Sequence, residues 1–226
     1  KFENYNIIDV NSSQVYQDMF ILSMLNGKKN GTYLEIGGGH YKNGNNTYLL
    51  ETKFDWQGVS IDFDKNLASN FNNNRKNKCL CEDATKLDYE KLLKPTGESL
   101  ENRIVDYLQL DCDPANITYD ILLKIPFDKC KFRVITYEHD YYNDTTGSYR
   151  DKSREHLRNR GYILIAGNIS SFKNDCPFED WWIHPELVDE DIYTIFKRDT
   201  NKPINGEEYM LSDGKEDIKE KKSLLT

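Results

Sequence analysis

Short apolar runs separated by longer amphipathic stretches recur along most of this sequence, and that alternation constrains the fold more than any other feature. Strands spaced at such intervals need helical crossovers between them, which builds a mainly parallel sheet flanked by helices. The runs fall at 33–36, 58–61, 78–81, 107–110, 132–136, 162–166 and 191–196, so a seven-stranded α/β sheet is expected. Helical periodicity covers 44–54, 64–76, 86–94, 116–125 and 147–160. Ahead of the first strand, Asn11-Ser12-Ser13 reads as a helix start. Val15, Met19 and Leu22 follow at helical spacing and Gly27 is a stop, giving a helical lead-in over 1–30. No linker rich in Pro, Gly or Ser divides the chain. One domain is expected over 1–211, followed by a charged, flexible tail over 212–226.

Hydrophobic residues make up 38% of the 226 and charged residues 30%, enough for one sizeable core and too apolar for global disorder. A net charge of −8 argues against wholesale binding to a phosphate backbone, so nucleic acid is not expected as a partner. No run approaches the roughly 18 apolar residues of a membrane span. The chain opens on Lys1 without a signal-peptide core, which reads as one domain of a longer protein with neighbouring domains as partners. Five cysteines without framework spacing fit a reducing compartment, the cytoplasm (a host's, for a viral source). Cys79-x-Cys81 lacks the second pair or nearby His of a zinc site, so structural thiols are expected.

The strongest local signal is Leu34-Glu35-Ile36-Gly37-Gly38-Gly39-His40, an apolar strand running into three glycines. Such a turn is tight and lets a ligand approach the backbone closely. A P-loop needs Lys and Ser or Thr after its last glycine, and Gly44 is followed by Asn45-Asn46. A dinucleotide fingerprint needs a third glycine where Lys42 stands. An acid before G-x-G is the pattern of an S-adenosylmethionine (SAM) turn, which Glu35-Ile36-Gly37-Gly38-Gly39 fits; a plain structural turn is the competing reading. Acids then close the next strands in order: Asp62, followed by Phe63, then Glu82-Asp83-Ala84, then Asp111. Ligands of open α/β sheets bind outside the carboxyl ends of the strands, so these ends converge on one crevice. Asp62 would accept from ribose hydroxyls and an acid after the third strand from the adenine amino group. The candidate cofactor residues are Glu35, Gly37, Gly38, Gly39, Asp62, Phe63, Asp83 and Ala84.

The stretch 33–65 carries this glycine turn, then Asn46-Thr47-Tyr48-Leu49-Leu50-Glu51, then Trp56-Gln57-Gly58 before the acid of the second strand. It resembles the FkbM-like family of class I SAM-dependent methyltransferases. Asp106 through Asp111, Glu138-His139 and Glu179 through Pro185 extend the resemblance over about residues 30–190. The sequence departs at Asp111-Cys112-Asp113-Pro114, where members often read Asp-x-Glu-Gly, and at Gly39, often Ala or Asn. The resemblance implies a Rossmann-like class I methyltransferase fold, SAM as cofactor, Thr47 among its contacts, and O-methylation.

Residues after strands four and five face the methyl group in such a fold: Asp111 and Asp113, then Glu138, His139 and Asp140. This pattern also resembles metal-dependent O-methyltransferases, which makes Asp111, Glu138 and His139 the expected ligands of Mg²⁺ or Mn²⁺. The alternative is that Asp111 and Glu138 cap helices and orient loops. Candidate catalytic residues are Asp111, His139 and His184, the last as base beside a Trp181-Trp182 pair on which a sugar would stack. A core Trp cluster with a satisfied His is the other reading of that segment. The expected acceptor is a hydroxyl of a small molecule, sugar or glycan, with no membrane partner. The rivals are a NAD-dependent sugar dehydrogenase or epimerase, and a non-catalytic scaffold module with a SAM-binding fold.

Overall fold

Six of the seven expected strands form and join two unforeseen ones in a single eight-stranded sheet. The computed structural model describes residues 2–143, 146–171, 176–198 and 202–211; the charged tail expected over 212–226 lies outside the described residues. The strands are β1 Thr32–Ile36, β2 Gln57–Asp62, β3 Lys78–Cys81, β4 Arg103–Leu110, β5 Cys130–Glu138, β6 Ile163–Ser170, β7 Pro177–Ile183 and β8 Ile204–Asn205. Their order across the sheet is β3-β2-β1-β4-β5-β7-β6-β8. The first five pair in parallel, and β7 runs antiparallel between β5 and β6. The carboxyl ends of β1 to β5 therefore share one edge.

The helices are α1 Gln17–Met24, α2 Tyr48–Phe54, α3 Lys65–Asn74, α4 Tyr89–Leu93, α5 Ala115–Leu122, α6 Ser148–Asn159, α7 Glu190–Phe196 and α8 Gly206–Leu211. The run at 191–196, expected as a strand, is α7. Asp189 accepts from Asp191 N and caps it, and two acids fill the first turn, where the helix dipole favours them. Strand β7 escaped notice because all seven of its residues are buried, Glu179 and Asp180 included, so no alternation of polarity marks it.

Side chains alternate across the strands and divide the core in two. Tyr33, Tyr107, Val134 and Trp181 face α1, α2 and α7, where Phe20 stacks on Trp181 with ring centroids 4.7 Å apart. Leu34, Leu108, Ile135 and Trp182 face α5 and α6 through Ile121, Leu122 and Leu157. The lead-in contributes α1, buried along its whole length. Its start lies past Asn11-Ser12-Ser13, because Asp18 accepts from Ser12 N and from Ser13 N and Oγ and folds that segment back over the helix. Among the described residues no helix is long and apolar enough to cross a membrane, and all five cysteines are free thiols.

Candidate active site

The glycine turn is held by both neighbouring strands. Gly37 N and Gly38 N donate to Ile61 O at the end of β2, and Asp111 N donates to Ile36 O across β1 and β4. Gly37 has φ +85°, and a Cβ there would lie 1.7 Å from Asp111 O, so no other residue fits. Gly38 and Gly39 differ. A Cβ on Gly38 would make ordinary contact with Ser60 at 3.4 Å, and one on Gly39, at φ +55°, would meet nothing within 4 Å. Asp62 fixes the turn from β2, accepting from Gly39 N at 2.7 Å and from Asp64 N at 2.8 Å. Each of its oxygens keeps a lone pair for a further donor.

Glu35 and Thr47, expected at the cofactor, sit behind the turn and do not line the crevice. Both are fully buried. The Glu35 carboxylate accepts from Ser60 Oγ at 2.5 Å, Thr47 Oγ1 at 3.0 Å and Asn45 Nδ2 at 3.1 Å. Burial pushes its pKa up to about 7 against the pull of the Arg75 charge and these hydrogen bonds. Ligand contact was expected at Glu35 from the acid before the glycine turn and at Thr47 from the family resemblance; the burial of β1 on both faces sends Glu35 inward.

In front of the turn lies a crevice of about 400 Å³, lined by Gly37, Asp62, Phe63, Asp83, Ala84 and Asp111 from the expected set. Ile61, Glu82, Thr85, Cys112, Asp113 and Ile117 also line it, and of these Thr85 and Ile117 carried no sequence signal. Phe63 is 82% exposed, a large aromatic ring left open at the rim. Asp83 accepts from Thr85 Oγ1 at 2.6 Å and pairs with Lys86 at 2.9 Å, which holds its pKa down to about 2. It thus caps its own turn while facing the crevice.

On the far side, Asp111 after β4 meets Glu138 at the end of β5. Burial raises the pKa of Asp111, Glu138 and Asp140, and Glu138 lies well above the carboxylate range because Asp111 and Asp140 flank it. Burial and the neighbouring Asp111 thus favour the protonated form of Glu138. His139, just past the end of β5, turns the other way. Its Nε2 lies 3.3 Å from Asp180 Oδ1 and its Nδ1 accepts from Tyr141 N. Burial alone would raise Asp180, but His139 and Arg154, whose Nε and Nη2 donate to it at 2.7 and 2.8 Å, hold it well below the carboxylate range. The expected metal set of Asp111, Glu138 and His139 is therefore not assembled. Among the described residues no group of three His, Cys, Asp or Glu is arranged to hold a metal ion.

His184 lies outside the site. β7 is antiparallel to β5, pairing Glu179 with Glu138 and Ile183 with Val134. His184 N donates to Arg133 O, five residue rises or roughly 16 Å from the Glu138 end of β5. Its ring packs edge-on against Tyr162. Trp181 and Trp182 are fully buried, one in each half of the core, and offer no stacking surface. Two residues the sequence did not single out, Gln109 and Arg75, hold the turn. Gln109 Nε2 donates to Gly37 O at 3.0 Å, and its one signal was a polar residue inside an apolar strand. Arg75 sits in a polar run that gave none.

No protein-family model and no curated protein sequence matches the chain. Solved structures do match. A Clostridium thermocellum protein described as an rRNA methylase superposes with a TM-score of 0.52 at 15% identity, over 78% of this chain and 97% of that one. A Streptococcus mutans protein described as a methyltransferase, solved with S-adenosylhomocysteine, superposes with a TM-score of 0.50 at 13% identity, over 77% of this chain and 99% of that one. The chain has the Rossmann-like methyltransferase fold. That is the expected fold class, with eight strands in place of seven.

Proposed function

We propose that this chain is a SAM-dependent O-methyltransferase of the FkbM-like kind, acting on a hydroxyl of a sugar or glycan. The observation that carries the reading is the crevice at the carboxyl ends of β1, β2 and β4, where an obligatory glycine, the Asp62 carboxylate and the open Phe63 ring converge beside a carboxyl pair. These residues fit SAM. Asp62 would hold the ribose hydroxyls through its free lone pairs, Phe63 and Ala84 would enclose the adenine, and Gly37, which lines the crevice, would border the remainder. Bound SAM supplies an electrophilic methyl group. The chain's part is to place a hydroxyl in line and to take its proton. Asp111 suits that task because it lines the crevice directly after β4, and the neighbouring Glu138, whose pKa burial and Asp111 raise, is the group of the pair favoured to stay protonated. No step is assigned to a metal, His139 or His184.

The carboxylates of Asp111 and Asp113 favour a neutral polyol, which can donate several hydrogen bonds to them, over a phosphate-rich nucleic acid, which they repel. The test is turnover of SAM with panels of sugars, glycans and RNA, in wild type and Asp111→Asn. Methylation of a polyol, lost in Asp111→Asn while S-adenosylhomocysteine still binds, is the expected result. Methylation of RNA alone would overturn the acceptor class. Binding without turnover of any acceptor would favour the scaffold reading, and binding of NAD in place of S-adenosylhomocysteine the dehydrogenase.

A further inference from the structure

We infer that Arg75 is a positioning residue that sets the cofactor turn from the far end of α3, an inference resting on the methyltransferase reading. The segment between β1 and α2 holds the glycine turn yet has almost no regular structure of its own, so something else must fix it. Arg75, directly after α3, does so with one fully buried guanidinium. Its Nη1 donates to Tyr41 O at 2.9 Å and to Asn45 Oδ1 at 3.1 Å, its Nη2 to Thr47 Oγ1 at 3.1 Å, and its Nε to Glu51 Oε2 at 2.9 Å. The ring of Phe71 lies 4.4 Å beneath it. Asn45 passes the restraint to the glycines, donating from Nδ2 to Gly38 O at 2.9 Å.

The other end of the same helix reaches the same turn. Asp64 caps α3, and Asp62, just before it, accepts from Gly39 N. Gly38 O and Gly39 N, successive groups of the turn, are thus tied to opposite ends of α3. Glu51 closes the frame, since its second oxygen accepts from Lys76 N at 2.8 Å. A planar fork with donors on several sides can serve Tyr41, Thr47 and Glu51 together, and an ammonium cannot. Arg75 itself touches no part of the crevice.

The test is calorimetric titration of wild type, Arg75→Lys, Asn45→Ala and the double variant with S-adenosylhomocysteine, each checked for folding by thermal unfolding. Loss of a charge-assisted hydrogen bond is expected to weaken binding on the order of tenfold in each single variant. The double variant should be little weaker than either, because the two act in series. With a methyl acceptor in hand, the KM for SAM should rise while kcat stays. Single variants that lose thermal stability but bind as wild type does would overturn the inference, as would fully additive losses. Should Arg75→Lys fail to fold, Asn45→Ala alone decides by the same criterion. A wild type that binds no S-adenosylhomocysteine would instead overturn the methyltransferase reading beneath it.

Discussion

Replacing the three glycines of the turn one at a time by alanine separates what each contributes. At Gly37 the new Cβ must sit 1.7 Å from Asp111 O, on a backbone at φ +85°. Left-handed backbone costs an L-residue about 1–2 kcal/mol. Relieving the overlap means parting β1 from β4 where Asp111 N donates to Ile36 O at 3.0 Å. Overpacking of that kind adds about 1–3 kcal/mol, and the strained ladder bond about 1 kcal/mol more. Gly37→Ala should therefore lose on the order of 3–6 kcal/mol, which for a chain of this size lowers Tm by roughly 10–20 °C. Gly39→Ala carries only the backbone penalty of about 1–2 kcal/mol, since nothing lies within 4 Å of its Cβ. Gly38→Ala should be close to neutral, its Cβ resting on Ser60 at 3.4 Å. Thermal unfolding of the three variants gives the ranking, and titration with S-adenosylhomocysteine shows whether Gly38→Ala and Gly39→Ala keep the crevice. A Gly37→Ala protein as stable as Gly39→Ala would refute the reasoning.

Asp180→Asn would leave Arg154 and His139 buried against a neutral group and should cost about 3–5 kcal/mol, read as a fall in Tm; a change below about 1 kcal/mol would show the cluster to be dispensable. Glu35, pushed up to about 7 by burial, takes up a proton on folding. The stability this uptake gives is complete below the ordinary carboxylate range and is lost as pH rises towards about 7, by at most about 1.4 kcal/mol per unit. Tm measured across that range should fall more steeply in wild type than in Glu35→Gln, and equal slopes would count against a buried, proton-binding Glu35. His184→Ala should leave S-adenosylhomocysteine affinity and methyl transfer within about twofold of wild type, since His184 lies on the opposite sheet edge. A large loss of turnover without loss of fold would return His184 to the site.

Where the sequence was legible, local chemistry decided the structure. The β1, β2 and β4 runs are apolar because parallel strands are covered on both faces, and Gly37 and Asp62 stand where a strand end must turn. Where it was not, the deciding partner was distant. Glu179 and Asp180 sit inside β7 because Gln17, Trp181 and Arg154 satisfy them, and two of those three lie far along the chain. The direction of β7 follows from pairing with β5, and reversing it carries His184 from the crevice edge to the other. Glu35 and Thr47 were expected to face the cofactor, but Ser60, Asn45 and Arg75 hold them behind the turn. His139 entered the expected ligand set through the resemblance to metal-dependent O-methyltransferases, whereas its ring is turned towards Asp180, a partner far along the chain.

The most direct measurement is calorimetric titration of the wild-type chain and Asp62→Ala with S-adenosylhomocysteine. One site of micromolar affinity in wild type, weakened by at least about tenfold when the Asp62 carboxylate is removed, is the predicted result. No heat of binding in wild type, or the same affinity in Asp62→Ala, would contradict the assignment of this crevice to the methyl donor.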